Sequence, residues 1–236
     1  IQELVAGNSD YWNNENSNKN AKLVTTQRDY MAGIVSTEIT RKYLLPPDIV
    51  QAHDKGIAHF HDADYEGQNA LTNCCLINLD DMLQHGTVIN GVKINKPHRL
   101  LTATTIASQI ITAVSSSQYG GCTITLSHLA PFVRDSYKLY ENKYKSYGLN
   151  KDDVDKLAMM DLKKEIRDAV QTFNYQVNSM STTNGQAPFI TVFMYINENP
   201  EYATETAMLI KEFLKQRIEG MPDRTGHMVT QAFPKL

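Results

Sequence analysis

Two histidines, several acids and two adjacent cysteines crowd one short run, AHFHDADYEGQNALTNCCLINLDDML, residues 58–83. Imidazoles, carboxylates and thiols are the side chains that hold metals, relay protons or attack carbon. His59 and His61 stand two apart, so on an extended segment they face the same side. His53, Asp54, Asp62 and Asp64 lie close by in sequence. The spacing matches no familiar zinc pattern, and the cysteines come a dozen residues later. Three readings follow: a metal site, histidines hydrogen-bonded in a polar loop, or one wall of a metal-free active site.

The cysteine pair is narrowed by strand geometry. Successive side chains on a strand point to opposite faces, so Cys74 and Cys75 do not line the same site, and a disulfide between them would be strained. Cys75, Ile77 and Leu79 share a wholly apolar face, whereas Thr72, Cys74, Leu76 and Asn78 share a mixed one. The pleat therefore picks Cys74 for chemistry and leaves Cys75 as a small core hydrophobe. Cys122 follows two glycines in YGGCT. That run follows a helix and lacks the phosphate-loop lysine, so it reads as a tight turn. TNGQAP, residues 183–188, precedes an apolar strand and offers Asn184 and Gln186 at a strand end, where α/β proteins build sites.

The elements that must position these groups are mostly helical. Residues 22–43 read as a helix with Tyr30, Ile34, Ile39 and Tyr43 among its apolar positions. Pro46 and Pro47 open a short second helix that Gly56 stops. ALTNCCLINL reads as a strand buried on both faces, and PFITVFMYI as a second buried strand with Pro188 at its start. Asn90-Gly91 between alternating residues signals a hairpin. A helix from Pro97 to about Gln118 carries Leu100, Ala103, Ala107, Ile110 and Val114 on one face. Thr102, Thr105, Gln109, Thr112 and Ser116 form its other face. No Asp, Glu, Lys or Arg occurs from Leu100 to Val133, so this helix is expected to be covered on most sides, in a core or at a subunit interface. Ser127 is a candidate cap for a helix to about Tyr144. Amphipathic helices follow at 152–178 and 201–219, and GMPDRTGH reads as a loop. Two buried strands separated by helices point to a parallel sheet or barrel with helices outside.

Bulk properties exclude several classes. The 236 residues are 42% hydrophobic and 21% charged, a globular composition. A net charge of −3 supplies no field for nucleic acid or an anionic membrane. Three cysteines form no disulfide framework, which points to a reducing, cytoplasmic location. No apolar stretch approaches the length of a membrane helix. A chain that starts on Ile1 and stops at TQAFPKL is expected to be a piece of a larger protein.

HFHDADY, NCCLINLDDML, QIITAVSSSQYGGCTI, LAPFV, NGQAPFITV and FPKL occur in one order with one spacing. Together they resemble the anaerobic (class III) ribonucleoside-triphosphate reductases, a glycyl-radical enzyme family. The likeness runs over most of the chain and is weakest in residues 1–25 and 140–165. It implies an α/β fold, a helix-rich part of one half of a ten-stranded α/β barrel. Residues 1–57 would form a leading arm and helices, and residues 58–236 the first barrel strands with flanking helices. The ATP-cone and the glycyl-radical domain are not in this sequence.

The same resemblance implies reduction of ribonucleoside triphosphates to 2′-deoxyribonucleoside triphosphates. A finger-loop thiyl radical, generated by a glycyl radical, would start the reaction, with formate as reductant. The family's first-strand cysteine falls on Cys74, in agreement with the pleat, and its paired histidines on His59 and His61. Thr72 and Asn73 are candidate ribose neighbours, with Asn184 and Gln186 as further substrate contacts. Gln109 is a candidate contact for ATP or dNTP effectors. No metal ligand is assigned in this chain, and the family's zinc belongs to the C-terminal part. Implied partners are a second copy of the chain and a radical-SAM activating enzyme. The competing readings are a non-catalytic effector-binding and dimerisation module, and a His/Asp metalloenzyme.

Overall fold

The computed structural model describes residues 23–68, 74–117, 121–183, 185 and 187–236. Helix α1 (Val24–Ile39) runs into a π-helical turn (Thr40–Leu44), then α2 (Pro47–Asp54) and the single turn α3 (Ala63–Glu66). Of the apolar positions of this segment Tyr30 is buried, whereas Ile34, Ile39 and Tyr43 are exposed. The buried positions are instead Thr26, Tyr30, Ser36 and Thr40, because α1 docks through polar contacts. The Tyr65 hydroxyl donates to Asp29 Oδ2 at 2.6 Å, and the Gly67 N–H donates to Ser36 Oγ at 3.3 Å.

A parallel sheet forms the centre. Strand β1 (Cys75–Leu76) leads to α4 (Leu79–Gln84) and the hairpin β2 (Thr87–Ile89) and β3 (Val92–Ile94). Asn90 and Gly91 both adopt positive φ, 50° and 79°, as a two-residue primed turn requires. Helix α5 (Leu100–Ser117) returns the chain to β4 (Gly121–Thr125). Helices α6 (Ala130–Lys145) and α7 (Lys151–Ser179) then cross over to β5 (Phe189–Phe193), and α8 (Ala203–Glu219) follows. The sheet order is β1-β4-β5 with both pairings parallel. Beyond β5 the order continues: Lys235 bridges Thr191 in parallel, with Lys235 N–H donating to Ile190 O and Val192 N–H to Lys235 O, both at 2.7 Å.

Four sequence expectations change here. Of YGGCT, the described residues Gly121, Cys122 and Thr123 are strand and not turn, since they open the central strand. The two flanking strands bury one face each. Cys122, Ile124, Ile190 and Val192 lie under the helices, while Leu76 is 77% and Phe193 53% exposed. Ser127 caps no helix: it sits in a 3₁₀ turn (Leu126–Leu129) and donates to Glu198 Oε2 at 2.6 Å. GMPDRTGH is a small hairpin, β6 (Met221–Pro222) pairing antiparallel with β7 (Met228–Val229).

The helical core behind the sheet is apolar, with Phe132, Phe173, Leu79, Leu100, Ile110, Ile111 and Leu209 fully buried. Burying each such side chain stabilises by about 1.5–3 kcal/mol. Charged clamps fix the outer helices. Arg134 joins α6 to Glu205 (2.7 Å) on α8 and Glu201 (2.9 Å) just before it. Arg99 Nε donates to the buried Glu165 at 2.8 Å, and the Leu101 N–H reaches the same oxygen at 3.0 Å, which ties the start of α5 to α7. The expected covering of α5 on most sides is seen, with only Thr102, Gln109 and Ser117 of its residues exposed. Among the described residues no helix is long and apolar enough to cross a membrane.

Candidate functional site

Cys74 immediately precedes β1, and the pairing of Cys75 with Cys122 sets it beside Gly121. It is exposed, on the face of the sheet opposite to buried Cys122, Ile124 and Ile190, whereas Cys75 is half-buried against the core. Cys75 Sγ lies 3.6 Å from Cys122 Sγ, and none of the three cysteines is in a disulfide. Burial pushes the Cys122 thiol up to about 12, and the 3.3 Å contact with Ser115 Oγ offsets only part of that. Cys122 is therefore inert at neutral pH. Cys74 is the accessible thiol of the three.

Gly121 has a part that sequence reasoning did not assign. A Cβ placed there would stand 3.7 Å from Cys74 Sγ and 3.5 Å from Phe189 O. A methyl group would fit there in ordinary contact with the thiol. The doublet Gly120-Gly121 at the head of an apolar stretch was the available signal. Just past β1, Asn78 Oδ1 accepts the Asp81 N–H at 3.3 Å and caps α4.

The histidines form a second group, and three rings take part instead of two. His53 and His59 have ring centroids 5.3 Å apart, and His59 and His61 5.5 Å. His53 Nδ1 accepts the Phe60 N–H at 3.1 Å. His61 Nδ1 lies 3.1 Å from Asp62 Oδ1. Burial raises the Asp62 carboxyl above its ordinary value, and His61 and His59 offset part of that rise. Both His59 and His61 are exposed. Among the described residues no three His, Cys, Asp or Glu side chains converge as a metal-ligand set. The metal reading thus gains no support from the described donors.

Thr72, Asn73, Asn184 and Gln186 lie outside the described residues. The loop around the last two is nevertheless anchored. Gly185 has φ 76° and packs directly on the first turn of α1, where Thr26 Oγ1 donates to Gly185 O at 3.5 Å. The hydroxyl of Thr183 donates to Ser116 O at 3.2 Å, holding the loop to the end of α5. Gln109 stands on the exposed side of α5, which carries no charge.

Residues 15–236 match the sequence model of the anaerobic ribonucleoside-triphosphate reductase family. The chain belongs to that family. It is 37% identical over 238 residues to the anaerobic ribonucleoside-triphosphate reductase of Salmonella typhimurium, covering 100% of this chain and 32% of that protein. The Escherichia coli reductase is 39% identical, with 94% of this chain and 30% of the relative covered. The Enterobacteria phage T4 reductase is 38% identical, with 94% and 36% covered. The chain thus spans about a third of the length of the curated reductases it matches. Among solved structures, the Thermotoga maritima anaerobic ribonucleotide reductase in complex with dATP and CTP superposes with a TM-score of 0.51 at 16% identity, over 82% of this chain and 32% of that one. The same enzyme with citrate in the active site gives 0.52 at 15%, over 82% and 36%. At such identities the structural likeness carries the fold alone.

Proposed function

We propose that this chain is the first part of the catalytic barrel of an anaerobic ribonucleoside-triphosphate reductase, with Cys74 in its active site. The observation that carries this reading is the exposure of Cys74 on the face of a parallel sheet opposite to its buried core, with the side-chain-free Gly121 beside its sulfur. The sheet order β1-β4-β5, continued by Lys235, supports a progressive parallel half-barrel whose open face is the barrel interior. Residues 1–57 are then a leading arm and helices, and 58–236 the first strands with their flanking helices.

Substrate is a ribonucleoside triphosphate. With formate and a proton it gives the 2′-deoxyribonucleoside triphosphate, carbon dioxide and water. A glycyl radical and a finger-loop cysteine, both carried by other parts of the protein, supply the radical that takes hydrogen from C3′ of the ribose. Cys74 delivers a proton or hydrogen from the other face of the ring, a task suited to a weak S–H bond on a polarizable atom. His59 and His61 orient groups or relay protons there, as imidazoles do near neutral pH. Thr72, Asn73, Asn184 and Gln186 contact the substrate. No side chain of this chain is assigned to the family's zinc.

A cytoplasmic homodimer with ATP and dNTP effectors completes the reading. Its support is the uncharged, solvent-facing side of α5, with Gln109 as effector contact. A radical-SAM enzyme would install the glycyl radical. In the full-length protein, Cys74→Ala is expected to abolish deoxynucleotide formation while the glycyl radical still forms by electron spin resonance. Retained reduction would remove Cys74 from the reaction.

A further inference from the structure

His53 lies on α2, outside the pair of histidines to which chemistry is assigned. Its ring nevertheless makes the contacts that order that pair. The chain reverses after α2, with Gly56 N–H donating to His53 O at 3.0 Å and Ile57 N–H to Ala52 O at 2.9 Å. It then runs as irregular backbone through His59, Phe60 and His61. Exposed side chains on irregular backbone sample several rotamers, and reactive groups need better definition than that. The hydrogen bond from Phe60 N–H to His53 Nδ1 pins the backbone at the residue between the two histidines. The His53 ring then lies 5.3 Å from the His59 ring at 35°, and the His59 ring 5.5 Å from that of His61 at 43°.

We infer that His53 is a positioning residue, which fixes the backbone between His59 and His61 through Nδ1 and orients the His59 ring by packing against it at a tilt. An Nδ1 that accepts a hydrogen bond leaves the ring proton on Nε2, so His53 is the neutral Nε2–H tautomer. The Arg41 guanidinium grips Asp54 at 2.8 and 2.9 Å and so holds the end of α2 from which His53 projects. The value of this arrangement to the reaction rests on the proposed role of His59, but the positioning itself does not.

Two variants of the full-length reductase separate the contacts. His53→Asn keeps an acceptor near the place of Nδ1 and loses the ring. His53→Phe keeps a ring and loses the acceptor. Glycyl radical content reports on intact folding, and ring-¹⁵N-labelled histidine reports on His59 directly. In His53→Phe we expect shifted His59 ring resonances and turnover about ten- to a hundredfold lower, with KM for the nucleotide about unchanged. His53→Asn should regain most of that turnover. Unmoved His59 resonances in both variants overturn the inference, as does equal loss of turnover in both. Shifted resonances with undiminished turnover support the positioning and instead refute the proposed role of His59.

Discussion

Gly185 offers a sharp test of how the strand-end loop is built, because an added methyl group would meet two separate penalties. Its φ of 76° is a left-handed conformation that costs a residue bearing a Cβ about 1–2 kcal/mol. That Cβ would also overlap Thr26 Oγ1 and stand 3.0 Å from both Thr26 N and Thr25 Oγ1. Thr26 is fully buried, so its hydroxyl has little room to swing away. Overpacking of this kind costs about 1–3 kcal/mol. Alanine stiffens the unfolded chain and returns about 0.4–1 kcal/mol. Gly185→Ala is therefore expected to destabilise by about 1–4.6 kcal/mol. Urea unfolding followed by circular dichroism measures this as a lower midpoint at unchanged slope. Thr26→Ala removes the overlapping oxygen and leaves the strained φ, so the double variant should recover about 1 kcal/mol or more relative to the sum of the singles. Strict additivity, or a Gly185→Ala midpoint equal to wild type, would refute the close packing of this loop on α1.

Three further outcomes are expected. Glu165→Gln should cost about 1–2 kcal/mol at pH 7, since it replaces charge-assisted hydrogen bonds to Arg99 by neutral ones. Burial opposes ionisation of Glu165, but Arg99 and the Leu101 N–H outweigh it and hold the folded carboxyl below its ordinary value of 4.5. The advantage over Gln is thus complete above pH 4.5 and fades as pH falls through the lower folded value; denaturant melts at pH 7 and pH 3 that differ from Gln equally would contradict this. Alkylation of the chain with iodoacetamide, read by mass spectrometry, should modify Cys74 first and Cys122 only after unfolding; early labelling of Cys122 would contradict its burial. Thr102→Glu with Gln109→Glu should leave unfolding stability within about 0.5 kcal/mol, since both positions are exposed. If the α5 face is the dimer contact, the same pair should weaken dimerisation at least about tenfold in sedimentation, by burying unpaired charge.

Much of this protein was legible from local pattern. The 3.6-residue period marks α5, α7 and α8 to within a few residues, because apolar spacing on a helix face needs no knowledge of the partner. Asn90-Gly91 specifies its hairpin through backbone sterics alone. The pleat separates Cys74 from Cys75 for the same reason: alternation is a property of one strand. The central strand escaped because GCTIT has no long apolar run. Its burial comes from β1 and β5 pairing on either side and from α5 beneath, all remote in sequence. The docking face of α1 was not legible, because polar contacts to Tyr65 and Gly67 decide it. His53 beside His59, Gly121 beside Cys74 and Gly185 against Thr26 likewise exist only after the chain has folded back on itself. A sequence specifies what each segment prefers locally; which side chains meet across separate segments is settled by the packing that brings them within a few ångströms.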